Sequence, residues 1–355
     1  MTTPAFAESN TEPIVVPSEV CGDYFFIPIT LAPRKGYPED RTLWFLYDTG
    51  ASISTIDPHS IERVSGKKLK TGQWANISDA SAGPVKINKM RSRVQSLTHL
   101  SLAMGREIDG ILSFTTFKDF LLTLDYQLHE IRLESGELPR PDDDTVFSTK
   151  GPDARPWLTI EFSNRDRRML LDSGAAKSGL VVRDIDKFET LATAVPFGAS
   201  VRLTEIEIRS GARAESDARL GPYIFKTPIL ESTPGPELIG GDIMRFFNWT
   251  FDQKNKRVRV EQHEPNEPVI FEPIIAHGMV MVPRASGFRV TSVLDNTPAA
   301  AADIRPDDVV THFNGTTMAE LGCDDDIADY EKLTVILQRQ GKELEVELFL
   351  FTLVQ

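Results

Sequence analysis

The chain has 355 residues, with 39 Lys plus Arg against 52 Asp plus Glu and a formal charge of −13. That balance argues against gripping nucleic acid or anionic lipid through an overall field, and no stretch approaches the roughly 18 apolar residues of a membrane-spanning helix. The two cysteines, Cys21 and Cys323, support neither a disulfide-rich scaffold nor a cysteine-based metal site.

The length suggests two or three domains. The opening MTTPAFAESN has no basic region or apolar core, although Ala5-Phe6-Ala7 resembles the small-x-small end of an export signal. A truncated signal, giving a periplasmic or secreted protein, and an ordinary start in a cytoplasmic one both remain open. Strands are expected at 44–47, 85–88, 121–124 and 131–133, the first running directly into Asp48-Thr49-Gly50-Ala51. Residues 137–157, rich in Pro, Asp and Gly, read as a boundary without elements. Strands follow at 159–162, 168–171, 201–208 and 258–260, with Asp172-Ser173-Gly174-Ala175 after the second of them. A proline-rich seam covers 261–273.

Beyond the seam the pattern changes. An apolar strand precedes another at 288–293, and Thr297-Pro298 opens a short alanine helix. A third strand at 309–313 ends on the turn pair Asn314-Gly315. A helix is expected over 326–338, with Tyr330, Leu333, Ile336 and Leu337 on one face and Ile327 near its edge. One closing strand is expected over 343–354.

The first three quarters contain a repeat. Downstream of the two Asp-Thr/Ser-Gly-Ala loops, the tails ending at Leu133 and Val260 superimpose without a gap. Ile111 falls on Leu238, Phe120 on Phe247, Thr123 on Thr250, Asp125 on Asp252 and Arg132 on Arg259. One Asp-x-Gly often marks a turn; two in matching register point to duplication. Asp125 and Asp252, which precede polar turns, read as turn residues, and Trp249 as a packing residue. A glycine two residues after each aspartate lets the backbone turn tightly and present the carboxylate at a loop tip. If the two units pack about a two-fold axis, Asp48 and Asp172 meet there and share a proton. One then takes a proton from water while the other donates to a carbonyl oxygen.

These residues resemble the aspartic peptidases, the pepsin and retroviral-protease superfamily. The second unit carries Leu170-Leu171-Asp172-Ser173-Gly174-Ala175 and the apolar-apolar-Gly element Leu238-Ile239-Gly240. The first carries Asp48-Thr49-Gly50-Ala51-Ser52, with Ser113 in Ile111-Leu112-Ser113 where the family has glycine. Ala176 stands where Ser52 stands in the first unit. The resemblance covers residues 23–261. It implies two β-rich lobes around one site, catalytic Asp48 and Asp172, and supporting roles for Thr49, Gly50, Ser173 and Gly174. Thr49 and Ser173 would exchange bonds across the axis. The family closes a hairpin over its substrate, which here falls within 70–90 with Trp74 as the only aromatic, and its counterpart within 195–216.

Residues 297–308 resemble the corresponding run of PDZ domains of the bacterial protease-associated kind, with Asp303 and Asp307 where glycine is usual. That likeness places a carboxylate-binding loop near His277-Gly278-Met279-Val280, with a C-terminal peptide added as a strand and 330–337 as the other wall. A structural role, bracing the peptidase lobes, is the alternative. His59, His99, His129, His263, His277 and His312 show no HExxH spacing, and serine elbows and Gly-rich phosphate loops are absent from the sequence. No metal, nucleotide or other cofactor is therefore assigned.

The resulting expectation is a mainly β chain: arm 1–22, first lobe 23–136, linker 137–157, second lobe 158–262, and linker plus α+β PDZ-like domain 263–355. The expected function is a monomeric aspartic endopeptidase acting on peptide or protein substrates, with accessory dimerisation open. A catalytically inactive protein of the same fold, binding peptides or protein C-termini, is the alternative.

Overall fold

Short alternating apolar runs separated by turn residues favour strands over helices. A computed structural model, describing residues 12–163, 165–203, 205–318, 320–325 and 330–355, is accordingly mainly β with barrel-like sheets. The Ala5-Phe6-Ala7 segment and residues 326–329 of the expected helix lie outside the described residues.

A six-stranded sheet joins the two units. Its order is Ile14–Val16, Glu130–Glu134, Leu121–Asp125, Phe247–Asp252, Arg257–Gln262 and Val146–Ser148. At its centre the equivalent strands Leu121–Asp125 and Phe247–Asp252 run antiparallel, with Thr123 opposite Thr250. Their hydroxyls hydrogen-bond at 2.9 Å. Equivalent residues facing one another across an antiparallel pair define a local two-fold axis at that point. Trp249 and Phe251 are buried there, and the indole N–H of Trp249 donates to Met244 O at 2.9 Å. Asp125 and Asp252 are buried turn acceptors: Asp125 receives the N–H of Gln127 and Leu128, and Asp252 that of Asn255.

Each unit also has its own sheet, of seven and ten strands. Both contain the same local topology. Thr42–Asp48 lies parallel to Gly110–Ser113, which lies antiparallel to Ser54–Ile56. Asp166–Leu171, Leu238–Ile239 and Leu180–Val182 repeat that order. The Asp-bearing loop of each unit is thereby held against a short strand inserted between its two flanks. Ser113, where the second unit has Gly240, fits because its N–H donates to Ser54 Oγ at 3.0 Å. At Gly240 a Cβ would come 2.6 Å from Ala175 O, so glycine is required there.

The C-terminal sheet runs Met279–Arg284, Gly287–Val293, Val309–Phe313, Lys332–Arg339 and Lys342–Phe349. It has a separate apolar core that includes Val290, Val310, Leu333 and Leu348. Thr297 Oγ1 accepts the Ala300 N–H to cap the helix Pro298–Ala301. Asp303 and Asp307 have φ of 56° and 74°, the left-handed conformation that their glycine-like positions demand. Asn314 and Gly315 turn the chain with φ of 47° and 83°.

Several expectations are corrected. Residues 332–338 belong to a strand, not a helix, because Leu333, Val335 and Leu337 are all fully buried and obey a period of two. Tyr330 is exposed, and from Lys332 onward the expected helical wall is replaced by this strand. The 201–208 strand is a hairpin, Val195–Val201 with Ile206–Arg213. The single closing strand breaks at Leu350, and its second part, Phe351–Val354, pairs with Ile274–Ala276 in another sheet. The arm and linker contain sheet strands at Ile14–Val16, Glu19–Cys21 and Val146–Ser148. Cys21 and Cys323, 302 residues apart, form a disulfide with a Cα–Cα distance of 5.5 Å, and the Gly22 N–H donates to Asp324 Oδ1 beside it at 2.7 Å. Among the described residues, no helix is long and apolar enough to cross a membrane.

Candidate active site

The two Asp-bearing loops meet at the local two-fold axis. Thr49 and Ser173 are fully buried between them and make reciprocal bonds. The Thr49 N–H donates to Ser173 Oγ at 3.0 Å, and the Ser173 N–H donates to Thr49 Oγ1 at 2.9 Å. Thr49 Oγ1–H donates on to Leu171 O at 2.7 Å, and Ser173 Oγ–H to Tyr47 O at 3.0 Å. Every bond on one side has its counterpart on the other. The hydroxyl at this position is required because each loop has a buried N–H and a buried C=O to satisfy.

That joint brings Asp48 and Asp172 together. Their carboxyl groups hydrogen-bond to each other. A Cβ on Gly174 would lie 2.5 Å from Asp48 Cγ, and one on Gly50 would overlap the Asp172 carboxyl. Both glycines therefore serve close approach as well as turning. The Gly174 N–H donates to Asp172 Oδ1 at 3.0 Å, and the Arg155 Nη1–H donates to Gly50 O at 2.9 Å behind the first loop. Asp48 Oδ1 is buried and has no hydrogen-bond partner among the described residues.

Burial pushes both carboxyls above the ordinary range. The charge of Asp172 pushes Asp48 further up. Asp172 is drawn back by the hydrogen bond from Asp48, its own Gly174 N–H, and the Arg155 and Arg202 guanidinium charges. So close a pair titrates as one unit, with one proton shared between the two carboxyls.

The pair sits in a cavity of about 580 Å³. Leu46, Met104 and Ile111 form an apolar wall from the first unit, and Leu170, Val181 and Leu238 form the matching wall from the second. The hairpin made of Val195–Val201 and Ile206–Arg213 contributes Arg202, Leu203, Glu207 and Arg209 to the same lining. Its tip is fastened to the first unit. His99 Nε2–H donates to Arg202 O at 2.7 Å, and Leu203 packs on the cluster of Phe26, Leu46, Leu97, Met104, Ile108 and Ile111. Behind the hairpin, Met279–Arg284 of the C-terminal sheet packs against Val195–Val201 and the helix Thr98–Met104.

The structure separates Trp74, Gly278, Met279 and Val280 from this arrangement. Trp74 stacks under Arg91 and Arg93, whose guanidinium carbons lie 4.1 and 5.4 Å from its ring, and does not line the cavity. Its hairpin pairs back onto Tyr24–Leu31, with Thr30 opposite Ser81, instead of reaching over the carboxylates. The Met279 N–H is engaged by His277 Nδ1 at 3.0 Å. Met279 and Val280 are buried, and the Gly278 backbone abuts Thr297. The loop at 277–280 therefore presents no carboxylate cradle. Arg155, His99 and Leu203 were not legible as site residues, since the contacts of His99 and Arg155 span 103 and 105 positions.

Compared with known proteins, the chain matches no family model and no curated sequence.

Proposed function

We propose that this protein is an aspartic endopeptidase of the two-lobed, pepsin- and retropepsin-like kind, carrying a C-terminal PDZ-like module. The observation that carries the reading is the joint at the two-fold axis, where reciprocal Thr49 and Ser173 bonds hold two mutually hydrogen-bonded aspartates at the floor of one cavity.

An extended peptide lies between the two apolar walls, with the scissile amide over the carboxyl pair. The ionised member of the Asp48–Asp172 pair takes a proton from a water, whose oxygen attacks the carbonyl carbon, while the protonated member gives its proton to the carbonyl oxygen. The gem-diol then collapses: the C–N bond breaks, the proton taken from water passes to the departing nitrogen, and one diol hydroxyl returns its proton to the other carboxylate as the C=O re-forms, which restores the pair. Such paired acid–base assistance contributes about 10²–10⁴-fold per group. The matched walls, Leu46 with Ile111 and Leu170 with Leu238, favour apolar side chains on both sides of the cut. The hairpin 195–213 acts as the lid, a role the first-unit hairpin was expected to share. The C-terminal module braces that lid from behind.

Digestion of a proteome-derived peptide library, in the presence of a metal chelator and a serine-hydrolase inhibitor, tests this. Cleavage between apolar pairs is expected. Intact peptides at every pH between 3 and 8 would contradict it.

A further inference from the structure

Side chains two apart on a strand share a face. Leu170, in the wall of the carboxylate cavity, is thus preceded on the same face of Asp166–Leu171 by Arg168, while Arg183 lies one residue past the end of Leu180–Val182, whose Val181 lines the same wall. These arginines line a second cavity of about 250 Å³ with Trp157, Arg167, Asp184, Pro236 and Glu237, and Pro236 borders both cavities.

Guanidinium groups outnumber carboxylates there, and both carboxylates are already engaged. Asp184 pairs with Lys187 at 2.7 Å. Glu237 Oε1 accepts Arg167 Nη1–H at 3.1 Å and the Arg183 backbone N–H at 3.2 Å. Arg168 and Arg183 are exposed and form no side-chain ion pair among the described residues, and the Arg183 Nε–H donates to Gly235 O at 2.8 Å. Arg167 lies over the Phe188 ring at 4.9 Å, and its Nε and Nη2 are buried with no hydrogen-bond partner. A planar fork of donors suits a carboxylate or another oxyanion better than any other ligand. The concentration of uncompensated positive charge is local, since the chain as a whole carries −13.

We propose that this cavity is an anion subsite of the cleft, which takes the carboxylate of an aspartate or glutamate in the polypeptide being cut. The assignment rests on the peptidase reading above. Arg168 is four residues from Asp172, about 13 Å along an extended strand. An extended substrate covers that distance in about four residues, so the acidic side chain belongs three to four positions from the scissile bond. Inorganic phosphate has the same chemistry and is the alternative source of the anion.

The test uses paired peptides that differ only by Asp or Asn at that distance, cut by the wild type and by Arg168→Ala/Arg183→Ala. In the wild type the Asp peptide should have a kcat/KM about tenfold higher, the scale of one charge-assisted hydrogen bond. The difference should sit in KM, and the ratio should fall toward one in the double variant. Inorganic phosphate should raise KM for the Asp peptide selectively. A wild-type ratio near one, or a ratio that survives the double substitution, overturns the subsite. If neither peptide is cut, the peptidase reading fails, and binding decides the subsite by itself through the fluorescence of Trp157 in its wall. A saturable change with the Asp peptide that the double variant loses supports it. A response to phosphate alone, or to neither probe, overturns it.

Discussion

Replacing Thr49 by valine keeps the shape of the loop joint and removes its hydroxyl. That hydroxyl accepts the Ser173 N–H at 2.9 Å and donates to Leu171 O at 2.7 Å, in a position with no solvent exposure. Two buried backbone groups then lose their partner at once. Each such loss costs about 1–3 kcal/mol, and after local relaxation Thr49→Val should destabilise the protein by about 2–4 kcal/mol. Ser173→Ala should cost a similar amount by the symmetric route, exposing the Thr49 N–H and Tyr47 O. Thr123→Val/Thr250→Val provides the contrast, because it removes both members of the hydroxyl pair on the same axis and should cost under about 1 kcal/mol. Urea unfolding followed by the fluorescence of buried Trp249 reads all three. A Thr49→Val protein within about 0.5 kcal/mol of the wild type would refute the idea that these bonds join the two units.

Asp48 holds its proton more tightly in the folded chain than in the unfolded one, because burial and Asp172 both raise its pKa. Its contribution is therefore complete in acid and lost as the pH rises through the folded pKa, so Asp48→Asn should be more stable than the wild type at pH 7 and lose that advantage near pH 4; a gap independent of pH would contradict the buried pair. Burial holds His277 down to about 4, so the unfolded chain takes up the proton first as the pH falls below 6.5. The C-terminal module should lose about 3 kcal/mol from this group between pH 7 and 4, a slope that His277→Asn should flatten in urea titrations. His99→Ala and Leu203→Ala remove the fastening of the lid tip. Hydrogen exchange in 201–206 should accelerate at least about fivefold in either variant, whereas unchanged protection would place the fastening elsewhere.

The carboxylate pair was legible because the repeat fixes it twice: the same residues, preceded by the same strand and followed by the same tail, require equivalent positions. Long-range partners were not legible. The hairpin 195–213 was expected as a counterpart of the first one, yet nothing local says which of the two covers the cavity. That outcome depends on Leu203 finding the apolar cluster around Leu46 and Met104, and on the first hairpin pairing with Tyr24–Leu31. The failure at 326–338 has a simple origin. Leu333, Ile336 and Leu337 fit a helical face, but Leu333, Val335 and Leu337 also fit a period of two, and pairing with strands on both sides decided between them. Thr297-Pro298 ahead of an alanine run was enough to locate the short helix and its cap, whereas the burial of Met279 and Val280 and the bond from the Met279 N–H to His277 had no local signal.

The central claim is that Asp48 and Asp172 act as one acid–base unit in peptide hydrolysis. Its most direct test is kcat/KM for a library-derived apolar-pair peptide with the wild type, Asp48→Asn and Asp172→Asn. Each single variant should lose at least about 10³-fold, since either removes the proton traffic of the pair. Cleavage within tenfold of the wild type by either folded variant would contradict the account.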